Sequence, residues 1–126
     1  MSFSPPKASA GSPPRRGEVY SLRLDPVEGS EQRGTRPAVV VSRDAINQAS
    51  PVIVVCPLTD ARHVSRSYPS DVLVKALEGG LTKDSVVLTG QIRAVAKIRL
   101  LLRLGELQPD TMRQIEQALK ITLQLP

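Results

Sequence analysis

The chain has 126 residues, 40% of them hydrophobic and 23% charged, which fits one small folded domain with an ordinary apolar core and excludes a wholly disordered or fibrous protein. Its net charge is +5, but Lys7, Arg15 and Arg16 are the only charged residues in positions 1–16, so bulk charge is weak support for a polyanionic partner. Cys56 is the single cysteine, which excludes an intrachain disulfide framework, and no run approaches the roughly 20 apolar residues of a membrane span. With no apolar stretch of the secretory-signal kind near Met1, a reducing, cytoplasmic setting is expected. A core this small leaves little stability to spare, so self-association is expected as well.

Residues 1–15 hold Pro5, Pro6, Pro13, Pro14 and four serines, and read as a disordered tail that buries too little to offset its ordering entropy. The folded domain is expected over 16–126. Tyr20, Leu22 and Leu24 alternate with Ser21 and Arg23, the period of a half-buried strand. Next comes Gly29-Ser30-Glu31-Gln32-Arg33-Gly34-Thr35-Arg36-Pro37, a charged connection too long for a tight hairpin. Pro37 biases Arg36 toward extended geometry, which holds a guanidinium against the apolar run beginning at Ala38.

Ala38 to Ser42 and Val52 to Leu58 read as fully buried strands, with a turn over Asn47 to Pro51. Residues 60–70 form a second long, basic connection. Val72 and Val74 mark a strand, Gly79-Gly80 a turn, and Val86-Val87-Leu88 a further strand. Ile98 to Leu104 fits strand or helix, since period alone does not decide so short a run. At the end, Pro109 suits a first helical position, Asp110 favours the positive pole, and Met112, Ile115, Leu119 and Leu123 share a stripe. The fold class expected is mainly β, a small barrel of about five to seven antiparallel strands closed by a C-terminal helix.

Several separated segments, in order, resemble the MazF/PemK family of toxin endoribonucleases: Arg16-Gly17-Glu18-Val19-Tyr20, Gly29-x-Glu31-Gln32-x-Gly34-x-Arg36-Pro37, Val41-Ser42, Pro57-Leu58-Thr59, Tyr68-Pro69, Gly80-Leu81, and Ser85-Val86-Val87 with Gln91-Ile92-Arg93. The resemblance covers about residues 15–123. It implies an SH3-like barrel, a homodimer, cleavage of single-stranded messenger RNA at short sequences without metal, and a cognate antitoxin partner. It also implies Arg36 and Thr59 as a catalytic pair, with Glu31, Gln91 and Arg93 lining the RNA groove. Family members commonly carry an acidic residue before Gln91-Ile92-Arg93; here Gly90 stands there, which bears on cut-site choice.

The residues support this chemistry on their own terms. Attack by a ribose 2′-hydroxyl builds negative charge on a five-coordinate phosphorus and on the departing 5′-oxygen, and a site must meet that charge. Arg36 offers paired N–H donors matched to phosphate oxygens. Thr59 can add a hydroxyl or backbone N–H. A guanidinium stays protonated to above about pH 12, so stabilising charge ranks above donating a proton. Glu31 is open to two roles, base toward the 2′-hydroxyl or acceptor from a nucleobase amino group. Arg36 has the structural alternative of pairing with Asp25.

One histidine, His63, excludes a two-histidine ribonuclease mechanism within one chain, and no His/Cys cluster has zinc spacing, so neither metal nor cofactor is expected. With only Phe3, Tyr20 and Tyr68 as aromatics, stacking platforms are scarce and recognition falls to loop polar groups and arginine planes. The RNA-contacting set expected is Gln32, Arg33, Ser42, Arg62, Arg66, Gln91 and Arg93. Two further readings compete: a non-enzymatic toxin on the same barrel that poisons DNA gyrase by contact, and an inactive homologue that only binds.

Overall fold

Valine and isoleucine are densest where strands are covered on both faces, and those strands form the middle of the sheet. A computed structural model describes residues 12–23 and 34–126. Among them run β1 (Glu18–Arg23), β2 (Thr35–Val40), α1 (Asp44–Ala49), β3 (Val52–Asp60), β4 (Asp71–Val74), β5 (Ser85–Leu88), β6 (Arg93–Ala96), β7 (Leu100–Glu106) and α2 (Pro109–Leu123). The strands pair antiparallel in the order β4-β5-β3-β2-β1-β7, and β6 adds to β3. This is the curled sheet of an SH3-like barrel with one long C-terminal helix.

β3 serves two sheets. Its first half pairs with β6 (Val52 to Val55 opposite Ala96 to Arg93) and β2 (Val55 to Pro57 opposite Val40 to Ala38). Its last residues, Leu58 to Asp60, pair with β5 instead. Alternation then sorts the side chains into two cores. Val19, Val39, Cys56, Leu58, Val87 and Leu107 pack with Met112, Ile115 and Ala118 of α2, while Tyr20, Leu22, Ala38, Val40, Ile53, Val55, Val95 and Leu100 form a second cluster. Both faces are therefore covered along Ala38–Val40 and most of Ile53–Leu58, which is why those stretches run apolar without a gap.

α2 begins at Pro109 with no side-chain cap and Asp110 in its first turn. It ends at Gln124, whose φ of 57° places a side chain in the left-handed region. There the Gln124 N–H donates to Ile121 O and the Leu125 N–H to Lys120 O at 2.8 Å, satisfying carbonyls the helix leaves open. Ile115 is fully buried, which contributes about 1.5–3 kcal/mol. The turn at Gly79-Gly80 passes so close to β7 that a Cβ on Gly80 would collide with the Leu104 carbonyl, and one on Gly105 would lie 2.5 Å from the Gly79 backbone.

The N-terminal stretch joins the fold earlier than the expected boundary at residue 16. Pro14 is buried, the Arg15 N–H donates to the Glu18 carboxylate at 2.7 Å, and the Gly17 N–H to Val40 O at 2.8 Å. Glu18 is itself buried and also accepts from the Tyr20 hydroxyl at 2.9 Å and Arg103 Nε at 2.7 Å. Residues 1–11, the greater part of the expected tail, lie outside the described residues.

Three local expectations change. Residues Asn47 to Pro51 are not a simple turn: α1 occupies the first of them, because the buried Asn47 amide donates to Ser42 O at 2.9 Å and fastens the turn of helix to the end of β2. The undecided stretch Ile98 to Leu104 resolves into a 3₁₀ turn, Lys97–Arg99, followed by β7. β6 was not anticipated; it carries one buried hydrophobic residue, Val95.

Candidate active site

The β2–β3 register places Ala38 opposite Pro57. The ladder ends there, with Arg36 two residues beyond Ala38 on β2 and Thr59 two residues beyond Pro57 on β3. Strand alternation assigns both positions to the face of the second core, at the rim beyond Ala38. Arg93 joins them from the other side of β3, opposite Val55 and two residues from the core residue Val95. The rim of one core thus gathers two guanidiniums and a hydroxyl from β2, β3 and β6.

Arg36 lies opposite Leu22 of β1 and is half-buried. Its Nη2 donates to Leu58 O at 3.4 Å, a long bond that leaves donors to spare. Burial holds the guanidinium below the usual arginine range, and the positive charge of Arg93 pushes the same way. Two like charges brought together in a partly dry setting give this rim a positive potential. Thr59 is half-buried at the turn from β2 pairing to β5 pairing, opposite Val86, and among the described residues no hydrogen bond engages its hydroxyl.

The other expected residues separate into groups. Gln91 is exposed on the 3₁₀ turn Thr89–Gln91, and Arg93, also exposed, follows it directly on β6. Arg62 is exposed just past Thr59, but its guanidinium is committed to Asp60, with Nη2 2.8 Å from Oδ2. The same arginine holds the Asp60 carboxyl well below the ordinary carboxylate range, and Lys83 lies 3.8 Å away. These residues line an open pocket of about 450 Å³ with Ala61 and Asp84. Arg66 is exposed on the connection that ends at Ser70. Glu31, Gln32 and Arg33, and with them Asp25, lie outside the described residues.

Ser42 does not reach this rim. It is buried, its hydroxyl donates to Asn47 Oδ1 at 2.5 Å and accepts from the Val54 N–H at 3.0 Å, so its polar capacity is spent on holding α1 to β3. Conversely, Thr89 drew no attention in the sequence. It is fully buried between β5 and Gln91, its hydroxyl donates to Ser70 O at 2.6 Å, and it lies 2.9 Å from the Thr122 hydroxyl of α2. The only sequence signal was a polar residue closing an apolar run. Among the described residues no group of three or more His, Cys, Asp and Glu side chains is arranged to hold a metal ion, and no helix is long and apolar enough to cross a membrane.

Comparison with known proteins adds three findings. Residues 15–123 match the family described as PemK-like, MazF-like toxin of type II toxin-antitoxin system. The chain is 40% identical over 111 residues to an Endoribonuclease MazF of Staphylococcus epidermidis, covering 88% of this chain and 92% of the relative. Among solved structures, a mycobacterial endoribonuclease in complex with its cognate antitoxin superposes with a TM-score of 0.73 at 30% identity, over 90% of this chain and 97% of that one. A MazF from Deinococcus radiodurans superposes with a TM-score of 0.71 at 29% identity, over 89% and 97%.

Proposed function

The chain belongs to the PemK-like, MazF-like toxin family, and from that premise we propose how its rim of arginines performs the family's chemistry. The protein is an endoribonuclease and the toxin of a type II toxin–antitoxin pair. Similarity to proteins named as endoribonucleases favours this reading over the gyrase poison.

The observation that supports the mechanism is that Arg36 lies close enough to Arg93 for the two charges to repel and bonds the Leu58 carbonyl, next to Thr59. A ribose 2′-oxygen gives up its proton, attacks phosphorus, and the bond from phosphorus to the 5′-oxygen breaks as that oxygen gains a proton. Arg36 donates to the non-bridging oxygens while charge accumulates there. A guanidinium stays protonated at neutral pH, so its part is electrostatic. Thr59 contributes a hydroxyl donor to the same phosphate. Arg93 draws the backbone in, and Gln91 and Arg66 meet neighbouring nucleotides. Glu31 stays open to its two roles.

The substrate in this reading is single-stranded messenger RNA, cut at a short sequence without a metal ion. An acidic antitoxin segment competes for the same arginines. A homodimer in the cytoplasm completes the picture, supported by the exposed apolar side chains of Leu73, Ile121 and Leu123.

The test is to incubate the purified chain with a mixed RNA pool in EDTA and sequence the new ends. New ends sharing a short motif support the reading; intact RNA together with gyrase trapped on DNA reverses it. An inactive homologue is identified by RNA binding without cleavage and by the absence of growth arrest on expression.

A further inference from the structure

The Thr89 hydroxyl has one proton, and the Ser70 carbonyl, which only accepts, takes it at 2.6 Å. The 2.9 Å contact with Thr122 must then be a bond in which Thr122 donates. One fully buried hydroxyl is thereby bonded from two sides, and it joins three segments: the end of the basic connection 61–70, the turn that carries Gln91 toward Arg93, and the last turn of α2. The Thr89 carbonyl contributes as well, accepting the Ile92 N–H at 3.2 Å to close that turn. None of these bonds touches the β2–β3 pairing next to Arg36 and Thr59.

We propose that Thr89 is a positioning residue for RNA: its hydroxyl sets the spacing between the Arg62 and Arg66 connection and the Gln91 and Arg93 turn, tying both to the end of α2. This rests on the endoribonuclease reading above. The two basic segments lie on opposite sides of the threonine in the chain, and the pairing of Asp71 with Leu88 brings their near ends together. Beyond that last pair the buried bridge fixes Ser70 and the Thr89–Gln91 turn against each other and against α2, and with them the fit of nucleotides flanking the scissile phosphate. Loss of the hydroxyl loosens that fit while the reacting groups keep their geometry.

The experiment uses the full chain and a short single-stranded RNA carrying its cut site, with Thr89→Val, Thr89→Ser and Thr122→Val beside the parent. Thr89→Val keeps the shape and removes the bridge, so KM rises about tenfold, the equivalent of one well-made hydrogen bond, while kcat stays within about twofold. Thr89→Ser restores the hydroxyl and brings KM back. Thr122→Val, which removes only the tie to α2, raises KM by about threefold. Parental KM in a folded Thr89→Val overturns the proposal, as does a fall in kcat with KM unchanged. Should Thr89→Val fail to fold, Thr122→Val decides: parental KM there overturns the proposal. If the parent itself leaves RNA uncut, it is the function that fails and not the bridge.

Discussion

Replacing Arg36 by alanine separates a guanidinium that acts on substrate from one that holds the fold. Among the described residues its one hydrogen bond is the 3.4 Å contact to Leu58 O. A bond so long sits at the low end of the usual range, so its loss costs about 0.5 kcal/mol, or about 2 °C in melting temperature for a domain of this size. Removing a positive charge from beside Arg93 acts in the opposite direction. The folded state is thus expected to melt within a few degrees of the parent. The transition state loses far more: one preorganised donor at a developing oxyanion contributes about 2.7–4 kcal/mol, a factor of about 10² to 10³ in kcat. Arg36→Lys keeps the charge but not the paired donors, and falls between. Initial rates on a single-stranded RNA in EDTA, with melting followed by circular dichroism on the same samples, read both quantities. Parental kcat in Arg36→Ala refutes the mechanism, and a loss of rate that merely tracks the folded fraction makes Arg36 a structural residue.

Ile115→Ala empties the centre of the contact between α2 and the sheet and is expected to destabilise by about 2–5 kcal/mol, read as a lower urea midpoint. Gln124→Gly relieves a side chain at positive φ and is expected to stabilise by about 0.5–1 kcal/mol in the same titration. Three carboxylates are held below their ordinary range: Asp44 chiefly by the Arg16 N–H, Asp60 by the Arg62 side chain, and Asp84 by the Ala76 N–H. Their depressed folded-state values mean a contribution that is complete above the unfolded carboxylate value of about 3.9 and fades as pH drops below it. The urea midpoint should therefore fall on acidification below about pH 4, and less steeply in Asp44→Asn.

What the sequence made legible followed burial. Runs such as Val52 to Val55 and the stripe through Met112 and Ile115 carry their own signal, because both strand faces or one helix face must be dry. β6 had no such signal, since Arg93 and Ala94 are exposed and its strand character comes from bonding to β3. Arg36 was legible from its place before Pro37 and a buried strand. Its partnership with Thr59 came from family resemblance alone, because the register joining them depends on how residues 41–51 fold, and α1 there is set by the Ser42–Asn47 bond. Ser42, expected to contact RNA from the end of a buried strand, is an internal fastener. Thr89 was invisible, since both partners of its hydroxyl are distant in sequence.

Because β3 is shared between the two sheets, Thr59 sits where one pairing hands over to the other. Peeling β5 away frees that residue from one flank, and peeling β2 away removes Arg36 from the other. A partly opened molecule is therefore a disarmed one. On the mechanism proposed above, this couples harm to integrity: a damaged or nascent copy has no working blade, and only the finished barrel cuts.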